Sequence, residues 1–349
     1  MTTTWLPGGA TIRTVGQGTA RRLRLAAALL AALVLAVSIT ACDPPVGSYP
    51  VQAAYTPPGP YATTTGIVKD ASGQVIYDLF YPSNYAALGF KSPIVTWGNG
   101  TLGSPAKVST FLSHLASYGF TVIASTSGWT GSGQQIDAAA HYLAAQNNVT
   151  SSVFHGRLDV HEVAAVGASQ GAGGAVRAAT NDPALITTVL TFSLPNAIWA
   201  APNPGCPTRA DCLADPAALT QPVFFISTYG LFDAVIASPA TERAFYNSTT
   251  GHAALGIIRY SDGKRADHTS IENTAYGGNP GGELGYATAW LEYQLRGDAT
   301  AAGAFTGAHP ELLSNTNWPG SAVKRSWPGR GPSRAAATPS RAGGWSRGR

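Results

Sequence analysis

The sequence predicts an α/β fold with a mostly parallel central sheet and helices on both faces. Three observations predict it. Short apolar runs of strand length alternate with stretches of helical periodicity. The chain opens this pattern with two runs around Asp70-Ala-Ser-Gly73, which read as an antiparallel hairpin. A third run, beginning at Val163, enters Gly167-Ala168-Ser169-Gln170-Gly171, and a small-residue helical pattern follows at once.

Taken in order, Gly66 to Tyr81 forms the hairpin and Pro82 ends it. Pro93–Trp97 is a short buried strand followed by the loop Gly98-Asn-Gly-Thr-Leu-Gly-Ser-Pro105. A helix fits Val108 to Tyr118, with Phe111, Leu112 and Leu115 in phase, and Gly119 closes it ahead of the strand Phe120–Ala124. Gln134 to Gln146 is helical on the phase of Ile136, Ala140 and Leu143. Strands then read at Leu185–Phe192, Pro222–Ser227 and Ala254–Tyr260, and Tyr286 to Leu295 is the closing helix.

Composition bounds the rest. The 349 residues are 44% hydrophobic and 11% charged, with 40 glycines, enough apolar material for one large domain. The net charge of +4 misleads, because both termini are basic and carry no acid. Between them 11 Lys and Arg face all 18 Asp and Glu, a net −7, so the body is acidic and a nucleic-acid partner is not expected. Arg21, Arg22 and Arg24 precede an apolar stretch from Leu25 to Ile39, and Ile39-Thr40-Ala41-Cys42 resembles a bacterial lipobox. Residues 1–41 therefore read as a signal peptide and Cys42 as a lipidated N-terminus on the outer face of the cytoplasmic membrane. The alternative is an uncleaved span, for which the 18 uncharged residues are borderline. Residues 42–60 read as a Pro-rich linker, 61–318 as the domain, and 319–349 as a disordered basic tail. Cys206 and Cys212 share a Pro-rich loop and are expected to pair as a disulfide in that compartment. No C-x-x-C or H-E-x-x-H spacing occurs, and no metal or cofactor is expected.

The chemistry follows from G-x-S-x-G between a strand and a helix. Its glycines permit a strained turn that lifts the Ser169 hydroxyl off the strand end. A serine nucleophile needs a base and an orienting acid, in the chain order serine, acid, histidine for this architecture. Asp233 falls in the loop after the Pro222–Ser227 strand, and His268 lies past the end of the last strand. Asp211, Asp215 and Asp262 compete as acids and His252 as base. Two amides must face the oxyanion: those of Gln170, directly after the serine, and of Thr101 or Gly100 in the glycine-rich loop.

These pieces resemble the bacterial cutinase and polyester hydrolase branch of the α/β-hydrolases, with its PET-hydrolase-like and chlorophyllase-like members. The resemblance rests on His114-Leu-Ala-Ser-Tyr-Gly-Phe-Thr-Val-Ile-Ala124, Gly156-Arg-Leu-Asp159, Gly167–Gly174, Phe232-Asp233 and Asp267-His268, over about residues 66 to 300. It implies an α/β-hydrolase fold and a triad of Ser169, Asp233 and His268, with Thr101 and Gln170 as oxyanion donors. It also implies an aromatic substrate platform, for which Trp199 stands in the expected stretch. Two features depart from the branch. Ala168 and Gln170 replace the usual His or Trp and Met beside the serine, and Leu194 to Gln221 is a longer insertion carrying the cysteine pair. The expected function is hydrolysis of small or polymeric carboxylic esters outside the cell, with lipase, cutinase or polyester activity as finer possibilities. A non-catalytic surface binding lipoprotein on the same scaffold is the alternative.

Overall fold

The computed structural model describes residues 49–261, 263–273 and 282–324. The expected signal peptide, Cys42 and most of the basic tail lie outside the described residues. Among the described residues no helix is long and apolar enough to cross a membrane.

Described residues begin with a short helix, α1 (Pro50–Tyr55). The hairpin follows as β1 (Thr63–Lys69) and β2 (Val75–Pro82). Then come β3 (Ser92–Gly98), α2 (Ser109–Ser117), β4 (Thr121–Ser125), α3 (Gln134–Gln146), β5 (Leu158–Ala168) and α4 (Gln170–Asn181). The second half holds β6 (Thr188–Phe192), the one-turn α5 (Arg209–Cys212), β7 (Val223–Thr228), α6 (Leu231–Ile236), α7 (Pro239–Ser248) and β8 (Ala253–Ile258). A small ribbon of β9 (Tyr260–Ser261) and β10 (Lys264–Arg265), the closing helix α8 (Glu283–Arg296) and an edge strand β11 (Ala322–Val323) complete it.

The sheet has nine strands in the order β1-β2-β4-β3-β5-β6-β7-β8-β11. Strands β4, β3, β5, β6, β7 and β8 run parallel, while the hairpin and β11 add antiparallel edges. This is the predicted architecture. Its central strands are buried on both faces, as parallel strands covered by helices must be. Successive side chains alternate between two cores. In β7 Phe224 joins Trp97, Phe111 and Trp290 on the α2–α8 side, and Phe225 joins Ile136, Val176 and Val189 on the α3–α4 side.

Some boundaries differ from the sequence expectation. Six residues of the expected linker form α1, started by Pro50 at its first position, with Val51, Gln52 and Tyr55 buried. The Glu311 carboxylate accepts from the amides of Val51 (2.7 Å) and Gln52 (2.8 Å) and so caps α1. At the other end Ala322–Val323 pairs with β8, and the Lys324 amide donates to the Ala253 carbonyl (2.8 Å), although Pro319 onward reads as tail. The folded domain is wider than 61–318 at both ends. The strand expected from Leu185 begins at Thr188, because Asp182 accepts from the amides of Leu185 and Ile186 and holds a turn there.

Candidate active site

Ser169 stands between β5 and α4 at φ 54°, ψ −125°, a conformation that costs a non-glycine residue roughly 1–3 kcal/mol. The turn survives because backbone closes in around it. A Cβ on Gly167 would overlap the Gly171 carbonyl, and one on Gly171 would overlap the Gly98 carbonyl. Among the described residues only Leu102, Ser169 and Ser193 are non-glycine residues at positive φ. Leu102 lies in the glycine-rich loop, and Ser193 contacts the acid, so the backbone strain is concentrated around one point.

That point is a hydrogen-bonded relay. His268 Nε2 lies 2.8 Å from Ser169 Oγ, and His268 Nδ1 lies 2.7 Å from Asp233 Oδ1. Asp233 is fully buried on α6, and its other oxygen accepts from Ser193 Oγ (2.8 Å), Thr228 Oγ1 (2.7 Å) and the Thr228 amide (3.1 Å). Three donors satisfy a charge taken out of water and fix the face it turns to the imidazole. His268 is brought back over the site by the β9–β10 ribbon. The base and acid loops are also joined by Asp267. Its Oδ1 accepts from the amides of His268 (2.8 Å), Phe232 (2.9 Å) and Asp233 (3.1 Å). In the sequence Asp267 is marked only by adjoining His268, and Ser193 belongs to no motif. Their signal is positional, since each sits at a strand-end loop facing the acid.

Gln170 opens α4, so its amide is one of the first-turn donors without a partner inside the helix. On the loop after β3 it is Gly100, the neighbour of Thr101, that comes close to the serine: a Cβ there would stand 3.3 Å from Ser169 Cβ. The Gln170 side chain ties this loop down. Its Nε2 donates to Thr101 Oγ1 (3.0 Å), and its Oε1 accepts from the Gly131 amide (3.1 Å). Ser169, Gln170, Thr101 and Trp199 all line one cleft of about 260 Å³. Trp199 is 46% exposed and donates from Nε1 to the Val235 carbonyl (3.1 Å), which sets it at the rim. Leu102, Ile198, Leu231, Phe232 and Val235 are exposed apolar residues.

The competing residues have other work. Asp211 forms a capping box with Thr208, Asp215 caps the 3-10 turn Pro216–Ala218, and Asp262 lies outside the described residues. His252 is buried against Trp290, with ring centroids 5.3 Å apart, and burial pulls its pKa down. Cys206 and Cys212 form the disulfide. Asp137, His141 and Asp182 bring three possible ligand atoms within 4.8 Å of one another, where the sequence offered no metal spacing. His141 Nε2 already bonds Asp182 Oδ2 at 2.9 Å there.

The family model described as PET hydrolase-like matches residues 43–274, about two thirds of the chain and all of the relay. No curated protein matches the chain.

Proposed function

The chain belongs to the PET hydrolase-like family, and from that premise we propose that it is an exported serine hydrolase of carboxylic esters acting through an acyl-enzyme. Family membership supports ester hydrolysis in general terms. The continuous contact Asp233–His268–Ser169 carries the finer reading.

In this reading Ser169 Oγ attacks the ester carbonyl carbon while its proton passes to His268 Nε2. The carbonyl electron pair moves to oxygen, where the amides of Gln170 and Thr101 receive it. Losing one such donor typically costs about 2.7–4 kcal/mol of barrier. The tetrahedral intermediate collapses with cleavage of the bond to the leaving alcohol, which takes the proton from His268. Water then attacks the acyl-enzyme and gives a proton to the same imidazole. The imidazole returns it to Ser169 Oγ as the second tetrahedral intermediate collapses, breaking the bond from the acyl carbon to Oγ and releasing the acid. Asp233 accepts from His268 Nδ1–H and so holds the ring in place. No step calls on a metal or cofactor.

Export and lipid anchoring at Cys42 belong to the same proposal, supported by the Arg21–Cys42 pattern and by a disulfide suited to an oxidising compartment. Labelling with a fluorophosphonate probe tests the catalytic part. Wild type is expected to label at Ser169 and hydrolyse p-nitrophenyl esters, and Ser169→Ala to lose labelling and roughly 10⁴–10⁶-fold of activity. A wild type that neither labels nor turns over esters would leave the binding-lipoprotein alternative standing.

A further inference from the structure

The segment from Leu194 to Gln221 connects two neighbouring parallel strands, a crossover usually carried by a packed helix. Here it has only α5 and two 3-10 turns, and it is held by cross-links instead. The Cys206–Cys212 disulfide closes its tip. Arg177, projecting from α4, donates from Nη1 to the carbonyls of Ala210 and Leu213, both at 3.0 Å, and from Nε to the Ser132 carbonyl (3.3 Å). Arg209 Nη2 donates to the Ala197 carbonyl (2.8 Å), tying the two arms of the loop together. Gly205 lies so close to the Trp129 carbonyl that a Cβ there would overlap it.

This bracing fixes one wall of the catalytic cleft. Cys212, Leu213 and Ala214 line it together with Leu194, Ile236 and Phe245. The cleft runs from Ser169 along α4 past Gln170 and Gly173, and a Cβ on Gly173 would sit 3.8 Å from Ala214 Cβ. His268, which must protonate the leaving alcohol, does not line this cleft. With the carbonyl oxygen directed at Gln170 and Thr101, the alcohol side points to His268 and the acyl side into the cleft. At about 260 Å³ the cleft is smaller than the usual small-molecule pocket of roughly 300–1,000 Å³.

Resting on the ester-hydrolase reading, we infer that the disulfide-closed loop is the specificity determinant of this enzyme, a fixed wall that restricts the acyl group to short, compact apolar chains. Long acyl chains and polymer segments are excluded on that side by Cys212, Leu213 and Ala214.

The test is kcat/KM for p-nitrophenyl acetate, butyrate, hexanoate, octanoate and dodecanoate, with active sites counted by fluorophosphonate titration. The full-length, disulfide-bonded protein is compared with Cys206→Ser/Cys212→Ser, Arg177→Met and Leu213→Ala. Wild type is expected to peak at butyrate or hexanoate and to fall at least about tenfold at dodecanoate, a discrimination within reach of an apolar pocket. In the variants the dodecanoate-to-butyrate ratio is expected to rise at least about fivefold. Leu213→Ala keeps the disulfide and reports even if the double variant folds poorly. A wild-type optimum at dodecanoate overturns the inference. So does a ratio unchanged in Leu213→Ala and Arg177→Met, since a merely structural loop lowers all esters by one factor. Labelled enzyme with an unchanged ratio removes only the loop's role, whereas absent labelling and turnover remove the hydrolase reading and the loop's role with it.

Discussion

Taking a carboxyl group out of water disfavours its charged form, and Glu242 lies wholly inside the domain on α7. Burial first, and the nearby Asp233 charge second, push its pKa well above the ordinary glutamate value. Asp233 is just as buried but has three donors on one oxygen and the imidazole on the other. The two acids therefore differ: burial raises the pKa of Glu242, whereas the Asp233 carboxylate beside it is surrounded by donors. The sign of the pH effect follows. As pH rises past the unfolded value, the unfolded chain releases the Glu242 proton while the native chain keeps it, so wild type loses stability until the raised native pKa is reached. Glutamine has no proton to keep. Glu242→Gln is expected to match wild type near pH 4 and to melt roughly 2–4 °C higher at pH 8, read by thermal denaturation at both values. A constant difference across pH would contradict this account.

At the scale of elements, the strand–serine–helix turn is made by what its neighbours cannot tolerate. Gly171 and Gly173 both lie in the first turn of α4, yet they meet different surroundings. An alanine Cβ at position 171 would overlap the Gly98 carbonyl, which is main chain of β3 and cannot turn aside. At position 173 the nearest atom is 3.8 Å away, an ordinary contact. Gly171→Ala is expected to lose about 1–3 kcal/mol or more in chemical denaturation, the usual result of overpacking. Gly173→Ala is expected to be neutral or to gain up to about 1 kcal/mol, because alanine favours a helix. Equal losses at both positions would mean that helix propensity, rather than close approach, sets the glycine requirement. The same packing explains why G-x-S-x-G was readable before the fold was known: its spacing records a collision between main chains.

Across the whole molecule, the parallel strands and the hydrogen-bonded relay were legible because each leaves a local mark. Apolar runs such as Pro93–Trp97 are continuous where both faces are covered, and Ser169, Asp233 and His268 come in order at strand ends. What was not legible depends on distant partners. Pro50–Tyr55 reads as linker because its capping acceptor, Glu311, is 260 residues away. Ala322–Val323 reads as tail because only the open edge of β8 makes it a strand. Ser193 and Asp267 act through contacts 40 and 34 residues distant, with no motif of their own. The return of the chain after α8 is similarly hidden. Trp318 is fully buried against Phe224 and Gly256, although it adjoins the segment that reads as disordered. Trp318→Ala is expected to cost about 3–5 kcal/mol in chemical denaturation. Turnover per fluorophosphonate-labelled site should change little, because the ring packs on the α8 side of the sheet, away from the relay. A full loss of turnover with stability intact would contradict that separation.

The Asp267 carboxylate has a consequence for how this chain can vary. It receives the amides of Phe232, Asp233 and His268 at once, so the acid and the base hang from one anchor although 35 residues separate them. A recombinant that takes the acid loop from one relative and the base loop from another would inherit each half of that anchor from a different parent. The acid loop's half is main-chain amide, present in any parent, so shuffling between residues 233 and 267 should spare the relay only where the parent of the base loop carries the carboxylate at 267. Crossovers ahead of residue 230 or beyond residue 268 leave that anchor whole.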